Sequence, residues 1–503
     1  MTPVRLALAA ALLAGLCAAS VPVLDEESYL AIAAQLDPAR PYDWWRPWPP
    51  WHGDREADAF VYAHPPLFLW WVWAIQQLEL PFTVARRLAG VPWAAILGGA
   101  VGVIAQQTCR RPGLAALSWL CAPVVVLSLQ RGLMPDLMVT ALMTATVAGW
   151  VRGRFVLAGL ALGLAIWTKY PALAVVPPLL LDGVLRGRLR RSGMLWLTAA
   201  VVFVLGEGWL WSIYGRVHLI EVLTRAGEIP RGAMWGRMLG VLTRLALIGP
   251  VLLALLPPGR RLVGLPAVAL AGVVFFLARP AAMPQQVGAL LVMASMGGFC
   301  LMVSLLALRR GWMTSGDGVL LGSWVLCVLG GVVVGHNFAA ARYLLPAAAP
   351  LILLLVSSLE LRRNGRRAIV ALSLVWALLA AGLTLSEHRY AAAADQLAQQ
   401  VIAAHPAGQF TGEWTFRWRM EQGGWTFNTS RPDTGTIVAA VSNGSPGALP
   451  EDFVPRAHYR VEGGPLRVIA VADRIGLYGE TLGPLPLGLS SAPLEEVVVW
   501  QVP

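Results

Sequence analysis

Long apolar runs constrain the fold of this chain more than any other feature. Runs of about 15 to 24 residues recur from Val4 to Ser386, and short clusters of arginine separate many of them. Most of these runs are long enough to form a helix that crosses a bilayer. Because 57% of the 503 residues are hydrophobic and only 13% are charged, the sequence predicts an all-α polytopic membrane protein.

The net charge of +11 does not indicate binding to nucleic acid. The arginines fall in short clusters between apolar runs, which is typical of membrane-protein loops. The five cysteines lack CxxC or metal-site spacing, so we predict small core residues and no disulfides. They are Cys17, Cys109, Cys121, Cys300 and Cys327.

Positive charge favours the cytoplasmic side, so the arginine clusters set the topology. Placing the clusters at 110–111, 152/154, 186–191, 260–261, 309–310 and 362–367 inside predicts about 13 transmembrane helices, with a range of 11 to 14. The N-terminus is then cytoplasmic, and residues 387–503 are periplasmic. The predicted spans are 4–24, 83–106, 113–130, 134–151, 155–169, 170–185, 194–214, 239–257, 261–279, 287–307, 318–335, 341–360 and 367–386.

Three segments need separate interpretation. Residues 4–24 resemble a cleavable signal peptide, but an uncleaved first helix is favoured because the acidic motif after it needs a tether. Residues 65–80 are short and rich in tryptophan, which predicts an interfacial helix rather than a full crossing. Spans 155–169 and 170–185 are short for a bilayer, so we expect a broken pair that meets near Pro171.

The first outer loop, residues 25–64, is acidic, with eight acidic residues against three arginines. It begins with Asp25 and Glu26 at the membrane boundary. Partial removal from water suits a carboxylate to general-base chemistry, whereas the alternative is a solvated helix start. Trp44, Trp45, Trp48 and Trp51 either stack on a sugar or anchor the loop at the lipid headgroups, and anchoring is favoured.

The predicted topology brings polar residues from distant segments to the outer face. This convergence is expected of a single functional site. They are Asp25 to Glu27, His64, Asp136, Lys169 with Tyr170, the 215–238 loop, Arg279, His336 and Arg342.

Five short motifs, in order, resemble those of GT-C membrane glycosyltransferases. The nearest groups are the protein O-mannosyltransferase-like and lipid A aminoarabinose-transferase-like enzymes (glycosyltransferase family 39-type), and the resemblance covers residues 1–386. The motifs are DEESYL (25–30), HPPL (64–67), LMPDL (133–137), GLALGLAIWTKYP (159–171) and ARYLLP (341–346).

The resemblance implies an enzyme that transfers a sugar, with inversion, from a polyprenyl-phosphate carrier to an acceptor hydroxyl outside the membrane. It implies that Asp25, with Glu26 beside it, is the catalytic base, and that Lys169, Arg342 and His64 bind the donor phosphate. Related aminoarabinose transferases often have lysine before PPL, where this chain has His64. The residues expected to line the substrate site are Asp136, Tyr170, His336 and Tyr343.

Several of these residues have an alternative role. Lys169, the only lysine in the chain, is either a phosphate counter-ion or a snorkelling side chain. Arg342 either holds phosphate oxygens in a bidentate manner or anchors a helix at the interface. Asp136 either orients the acceptor or pairs with Arg131, and pairing is the interpretation that we favour. His336 is expected to be structural or a simple hydrogen-bonding group.

Two further functions compete with the transferase. A transporter or lipid flippase would show internal repeats and ionisable groups near the bilayer centre, and a membrane scaffold would use its tail to bind a partner. The tail is predicted to be a small α/β or mostly β domain. We expect a polyprenyl-phosphate sugar donor, a glycolipid, glycan or protein acceptor, and membrane lipids as partners. No cofactor is expected. Because the sequence has no DxD-like pair, a metal-independent reaction is favoured, and use of a divalent metal stays open as the alternative.

Overall fold

A computed structural model of the chain was used to locate these residues. It describes residues 2–44, 59–62, 64–226, 234–248, 264–278, 286–314, 316–336, 338–361, 363–428, 432–444 and 452–503. The predicted tryptophans Trp45, Trp48 and Trp51 and the predicted outer Arg279 lie outside this part of the chain.

The described chain is mostly helical as far as residue 404. The helices before Lys169 are α1 (Pro3–Leu16), α2 (Glu26–Ala34), α3 (Ala59–Tyr62), α4 (Leu67–Gln76), α5 (Phe82–Thr108), α6 (Pro112–Cys121), α7 (Pro123–Leu129), α8 (Pro135–Val151) and α9 (Phe155–Thr168). Those after it are α10 (Val176–Leu185), α11 (Gly193–Tyr214), α12 (His218–Ala226), α13 (Met234–Leu245), α14 (Gly264–Ala278), α15 (Val287–Thr314), α16 (Gly318–Gly335), α17 (Leu345–Glu360) and α18 (Gly365–Ala404). Short 3-10 helices precede α10 (Tyr170–Val175) and α17 (Ala341–Leu344).

The all-α polytopic fold predicted from the apolar runs is confirmed. Among the described residues, six helices are long and apolar enough to cross a membrane, or seven if the bent pair α6 and α7 forms one span. Further apolar helices of 10–17 residues, including α1, α4, α8 and α9, lie at predicted spans or at the predicted interfacial segment. The predicted span 239–257 lies partly outside the described chain.

Proline explains where the helical runs are interrupted. Pro123 follows Ala122, whose backbone is extended, and the axes of α6 and α7 differ by 67°. Pro171 follows the break at Lys169, where φ is −166° and ψ is 127°. Proline lacks an N–H and disfavours helical backbone in the residue before it, so the predicted broken pair at Pro171 forms as expected.

The first predicted span is shorter than its apolar run. Helix α1 ends at Leu16, and the chain then passes through Pro22 to Leu24, which has a φ of 55°. A positive φ is uncommon for a residue with a branched side chain. The apolar residues after Leu16 therefore form a turn into α2 rather than the end of a span.

Helices α1 and α5 pack at very short range. A Cβ atom at Gly98 would lie 2.8 Å from the carbonyl oxygen of Leu6, and one at Gly102 would lie 2.8 Å from Cα of Pro3. Small residues allow this close approach, which is a common way for helices to associate in membranes.

The arginine-bearing helix ends contact one another. The backbone amides of Arg110 and Arg111 donate to Glu360, which precedes the cluster at 362–367, and Arg152 donates to Gln106. Because α8 runs from Asp136 to this end and α9 runs back to Lys169, those two residues share the opposite end. That the arginine-bearing end is cytoplasmic stays a prediction.

The chain after α18 forms a small α/β unit, as one of the two predicted forms. Its five-stranded sheet has the order β2-β1-β3-β9-β4, with β1 parallel to β2 and β3 and with β9 antiparallel to β3 and β4. The elements are β1 (Gln409–Thr411), α19 (Trp414–Gln422), β2 (Thr426–Phe427), β3 (Ile437–Val441), β4 (Val454–Val461), β5 (Leu466–Arg467), β6 (Ile469–Ala470), β7 (Ile475–Gly476), β8 (Gly488–Leu489) and β9 (Glu495–Gln501).

Helix α18 connects this unit to the membrane region without a break. It is 40 residues long and passes through the predicted domain boundary between residues 386 and 387. Its C-terminal half supplies Leu397 and Val401 to an apolar core of the C-terminal unit. There they pack with Phe410 of β1 and Phe416 of α19. The unit is therefore held by a continuous helix and not by a loop.

Candidate functional site

Asp25 lies where the chain turns from α1 into α2. Leu24, with its positive φ, directs the backbone so that Asp25 directly precedes the first residue of α2. The side chain of Asp25 is 38% exposed, and its Oδ2 lies 3.0 Å from Nη2 of Arg342. Strained backbone recurs beside functional residues in many proteins, and here it places a carboxylate between water and a cation.

Four charged side chains form a linked row with alternating sign. Arg342 lies between Asp25 and Asp136, and its Nε is 3.8 Å from Oδ2 of Asp136. The other carboxylate oxygen of Asp136, Oδ1, accepts a hydrogen bond of 2.9 Å from Nζ of Lys169. Asp136 and Lys169 are buried, so the structure unites four predicted segments around two carboxylates and two cations.

The middle of this row is incompletely hydrogen bonded. In the described part of the chain, neither Oδ2 of Asp136 nor Nε of Arg342 has a hydrogen-bond partner, although both atoms are buried. The 3.8 Å between them exceeds the usual range for a hydrogen bond. A small cavity adjoins both residues and is also lined by Arg131 and Ser128. Buried polar atoms without partners are costly, so this point can accept a polar ligand.

Tyr343 and His336 complete one side of the row. The ring of Tyr343 lies 4.9 Å from Nζ of Lys169 and 5.1 Å from the guanidinium carbon of Arg342. Its hydroxyl accepts a bond of 3.4 Å from Arg342, and its ring stacks on His336 at 4.3 Å. Both of these predicted substrate-lining residues therefore contact the charged row.

His64 approaches the same row from the first outer loop. Its pKa lies well below the usual value, because burial and the nearby Lys169 disfavour the imidazolium. Burial and the same lysine, together with Arg342, lower the pKa of His336 to about 3. Both imidazoles are therefore neutral at neutral pH in this state of the protein.

Glu26 occupies a different environment from Asp25. It is fully buried, and its Oε2 lies 2.6 Å from Nη2 of Arg86 in α5. The backbone amides of Val23 and Leu133 also donate to its carboxylate. Our expectation that Glu26 shares the catalytic role of Asp25 finds no geometric support here, because Glu26 is enclosed by these partners. The geometry favours an anchoring role.

The favoured pairing of Asp136 with Arg131 is wrong. Arg131 instead pairs with Glu387 of α18, which also accepts bonds from Gln130 and, at 2.9 Å, from the hydroxyl of Tyr478. Sequence reasoning missed this network because it joins the membrane helices to the C-terminal unit. Its effect is to hold Arg131 against the cavity beside Asp136.

Tyr170 belongs to a second polar cluster. Its hydroxyl lies 2.7 Å from Oε1 of Glu207 and 2.7 Å from Nδ1 of His218. The ring of His218 stacks on Tyr42 of the first outer loop at 5.1 Å, and the hydroxyl of Tyr42 donates to the backbone oxygen of His64. Glu207 gave a sequence signal that we did not use, since it is an acidic residue within an apolar span.

Helix α12 lies within the 215–238 loop that was predicted to be on the outer face. Its side chains Ile220 and Leu223 are each 60% exposed, while His218 at its start is buried. Among the described residues, no group of three or more His, Cys, Asp or Glu side chains is arranged to hold a metal. All five cysteines are free thiols.

Comparison with known proteins gives one similarity. No protein-family model matches the chain, and no curated protein matches it. Among solved structures, the chain is similar to the crystal structure of ArnT from Cupriavidus metallidurans bound to undecaprenyl phosphate. The TM-score is 0.47 at 15% sequence identity, over 83% of this chain and 84% of that chain.

Proposed function

We propose that the chain is an integral-membrane inverting glycosyltransferase. It moves a sugar from a polyprenyl-phosphate-linked donor to a hydroxyl group of a lipid, glycan or protein acceptor at the outer face. The observation that carries the proposal is the row Asp25, Arg342, Asp136 and Lys169, in which the partly exposed carboxylate of Asp25 adjoins Arg342 and the buried Asp136 lies between Arg342 and Lys169. Ionisable groups of this kind within membrane proteins mark functional sites.

Asp25 has the position that a general base needs. Its partial exposure leaves room for an acceptor hydroxyl, and Arg342 fixes its orientation from one side. The acceptor oxygen attacks the anomeric carbon while its proton passes to Asp25, and the bond from that carbon to the phosphate oxygen breaks. The phosphate leaves with the electron pair, so a single displacement inverts the anomeric centre.

Arg342 and Lys169 stabilise the negative charge that develops on the leaving phosphate. An arginine binds phosphate oxygens in a bidentate manner, and a lysine supplies a compact charge. Fixed cations in a partly dry site favour the transition state, where this charge appears, more than the ground state. Nε of Arg342, which lacks a partner in the described chain, is the donor that we assign to a phosphate oxygen.

Sugar transfer in membranes tests the proposal. Membranes containing the wild type, Asp25→Asn or Asp37→Asn receive radiolabelled polyprenyl-phosphate sugars and endogenous acceptors. Asp37 is an exposed acid of the same outer loop that caps its own turn by accepting from the amide of Ala39, so it is a matched control. We expect transfer by the wild type and by Asp37→Asn, and a loss of about 100- to 10,000-fold in Asp25→Asn.

The outcomes separate the alternatives. Equal transfer by Asp25→Asn and the wild type, at equal expression, would keep the enzyme and remove Asp25 from catalysis. If the folded wild type transfers no sugar from any of several donors, the transferase proposal fails and the transporter interpretation takes its place.

A further inference from the structure

The charged row has no spare positive charge for a phosphate. Asp25 and Asp136 carry two formal negative charges, and Arg342 and Lys169 carry two positive ones. A polyprenyl-phosphate sugar is a phosphodiester and brings one more negative charge. An unbalanced charge in a partly buried site costs several kcal/mol, so a neutral row binds such a ligand poorly.

Transfer of the sugar does not remove this imbalance. During the reaction the phosphodiester becomes a phosphate monoester with one further negative charge, while Asp25 gains the acceptor's proton and becomes neutral. The sum over the site is the same before and after the step. A third positive charge therefore balances the charge of the site from the binding of the donor until the release of the polyprenyl phosphate.

Two imidazoles lie where this charge is needed. His64 and His336 are partly buried, and the ring of His336 stacks at 4.3 Å on Tyr343, whose own ring lies 4.9 Å from Nζ of Lys169. Within the described residues, neither ring nitrogen of either histidine makes a hydrogen bond. Both rings interact electrostatically with Lys169 and Asp136. Each ring can therefore turn toward a new anion without losing a hydrogen bond to the protein.

We propose that binding of the donor phosphate is coupled to the uptake of about one proton by the His64 and His336 pair. The inference rests on the proposed function. The negative charge of the bound phosphate stabilises an imidazolium and so offsets the repulsion from Lys169. The imidazolium then donates a hydrogen bond to a phosphate oxygen. Histidine is suited to this task because its ordinary pKa is near neutrality.

The other charged and titratable groups around the pair have fixed roles in this scheme. Lys169 and Arg342 repel a proton on either ring, Asp136 attracts it, and Asp25 is neutralised in part by Arg342. The groups that face His64 are Lys169, Asp136, His336 and His218, and those that face His336 are Lys169, Asp136, Arg342, His64 and Tyr343. His218 is bonded to Tyr170 beside Glu207, so it is not assigned the proton.

Calorimetry in two buffers measures the uptake directly. The probe is a polyprenyl methyl phosphodiester, which carries one charge and does not itself titrate near neutral pH. It is titrated into the detergent-solubilised full-length protein at pH 7, in two buffers that differ in their enthalpy of ionisation. The difference in binding enthalpy gives the number of protons taken up. We expect about one for the wild type, and an affinity that falls at most about tenfold per pH unit as pH rises.

A double variant and a matched control locate the proton. His64→Gln and His336→Gln each keep a hydrogen-bonding side chain but cannot become charged, and His458→Gln alters a half-exposed histidine on β4, beside Glu496. Uptake is expected to disappear in the double variant His64→Gln/His336→Gln, with a nearly flat dependence of affinity on pH, and to persist in His458→Gln.

The inference fails if the wild type binds the probe without taking up a proton, or if the folded double variant takes up as much as the wild type. Those results leave the proposed function intact. Failure of the folded wild type to bind any polyprenyl phosphodiester overturns the proposed function, and this inference falls with it.

Discussion

Asp25 and Glu26 are neighbours in the sequence, and each lies beside an arginine, yet their environments differ. The carboxylate of Glu26 is fully buried with Arg86, and two backbone amides donate to it. Asp25 is 38% exposed, and its partner Arg342 also faces Asp136. The carboxylate oxygens of Glu26 are satisfied by these partners, whereas Oδ2 of Asp136 and Nε of Arg342 have no hydrogen-bond partner among the described residues.

The difference separates a structural ion pair from the one to which we assign a role in catalysis. Glu26 ties the start of α2 to α5 and to the turn before α8, so its bonds fix where Asp25 lies. Asp25 keeps access to water on one side and adjoins the cavity-lining Arg342 on the other. In this protein, completeness of hydrogen bonding distinguishes the two acids better than residue type or sequence position.

Breaking the ion pair of Glu26 and Arg86 should have the largest effect on stability. Arg86→Met leaves the buried carboxylate of Glu26 unpaired and removes donors from the carbonyl groups of Ala19 and Val21. We expect a loss of about 3–5 kcal/mol in the free energy of unfolding, measured as a lower Tm in detergent. The double variant Glu26→Leu/Arg86→Met should recover part of that loss, because it removes the unpaired charge.

The same variants test the anchoring role assigned to Glu26. Sugar transfer by Arg86→Met should fall only in proportion to the folded fraction. A variant with unchanged Tm and abolished transfer would contradict the anchoring role and restore Glu26 to the catalytic site.

Breaking the reactive row should affect turnover more than stability. Lys169→Met removes the cation that pairs with Asp136 and, in our proposal, meets the donor phosphate. We expect transfer to fall about 10- to 1,000-fold, and the double variant Lys169→Met/Asp136→Asn to restore stability without restoring transfer. Normal kinetics in Lys169→Met would remove Lys169 from phosphate binding while leaving the fold assignment unchanged.

A third acid, Glu480, should give the smallest effect. Burial raises the pKa of Glu480, while Arg244 and the amide of Ala339 oppose the shift. A raised pKa in the folded state means that the stabilising contribution is fully present below about pH 4.5 and is lost as pH rises through the raised value. The Tm of the wild type should therefore fall slightly over this interval relative to that of Glu480→Gln, which does not titrate there. Parallel Tm curves for the two proteins would contradict this.

Apolar periodicity and arginine placement predicted most of the helical framework, because burial in lipid imposes a strong and local sequence pattern. The same topology predicted that Asp136 and Lys169 share one end with Arg342. The pairing of side chains within that end was less predictable. Arg131 is five residues before Asp136, but it pairs with Glu387, more than 250 residues later.

Long-range contacts of this kind depend on how helices pack, and one sequence does not contain that information locally. Helix packing also determines two other contacts that the sequence did not predict. They are the bond from Arg86 to Glu26 and the cluster of Tyr170, Glu207 and His218. Glu207 alone carried a local signal, as an ionisable residue within an apolar span. The other two members of the cluster come from the 3-10 helix that begins at Tyr170 and from the start of α12 at His218. The positions of these two segments are defined only in the folded chain.

Helix α18 extends as one continuous helix from the membrane region into the C-terminal unit. Forty residues at 1.5 Å each extend about 60 Å, roughly twice the hydrocarbon thickness of a bilayer. Because the helix is continuous, its C-terminal half enters the core of the C-terminal unit while its N-terminal half packs among the membrane helices. It also carries Glu387 at the level where Arg131 adjoins the cavity. Because one continuous helix carries both Glu387 and the core residues Leu397 and Val401, the sheet cannot shift along the axis of α18 without displacing the partner of Arg131.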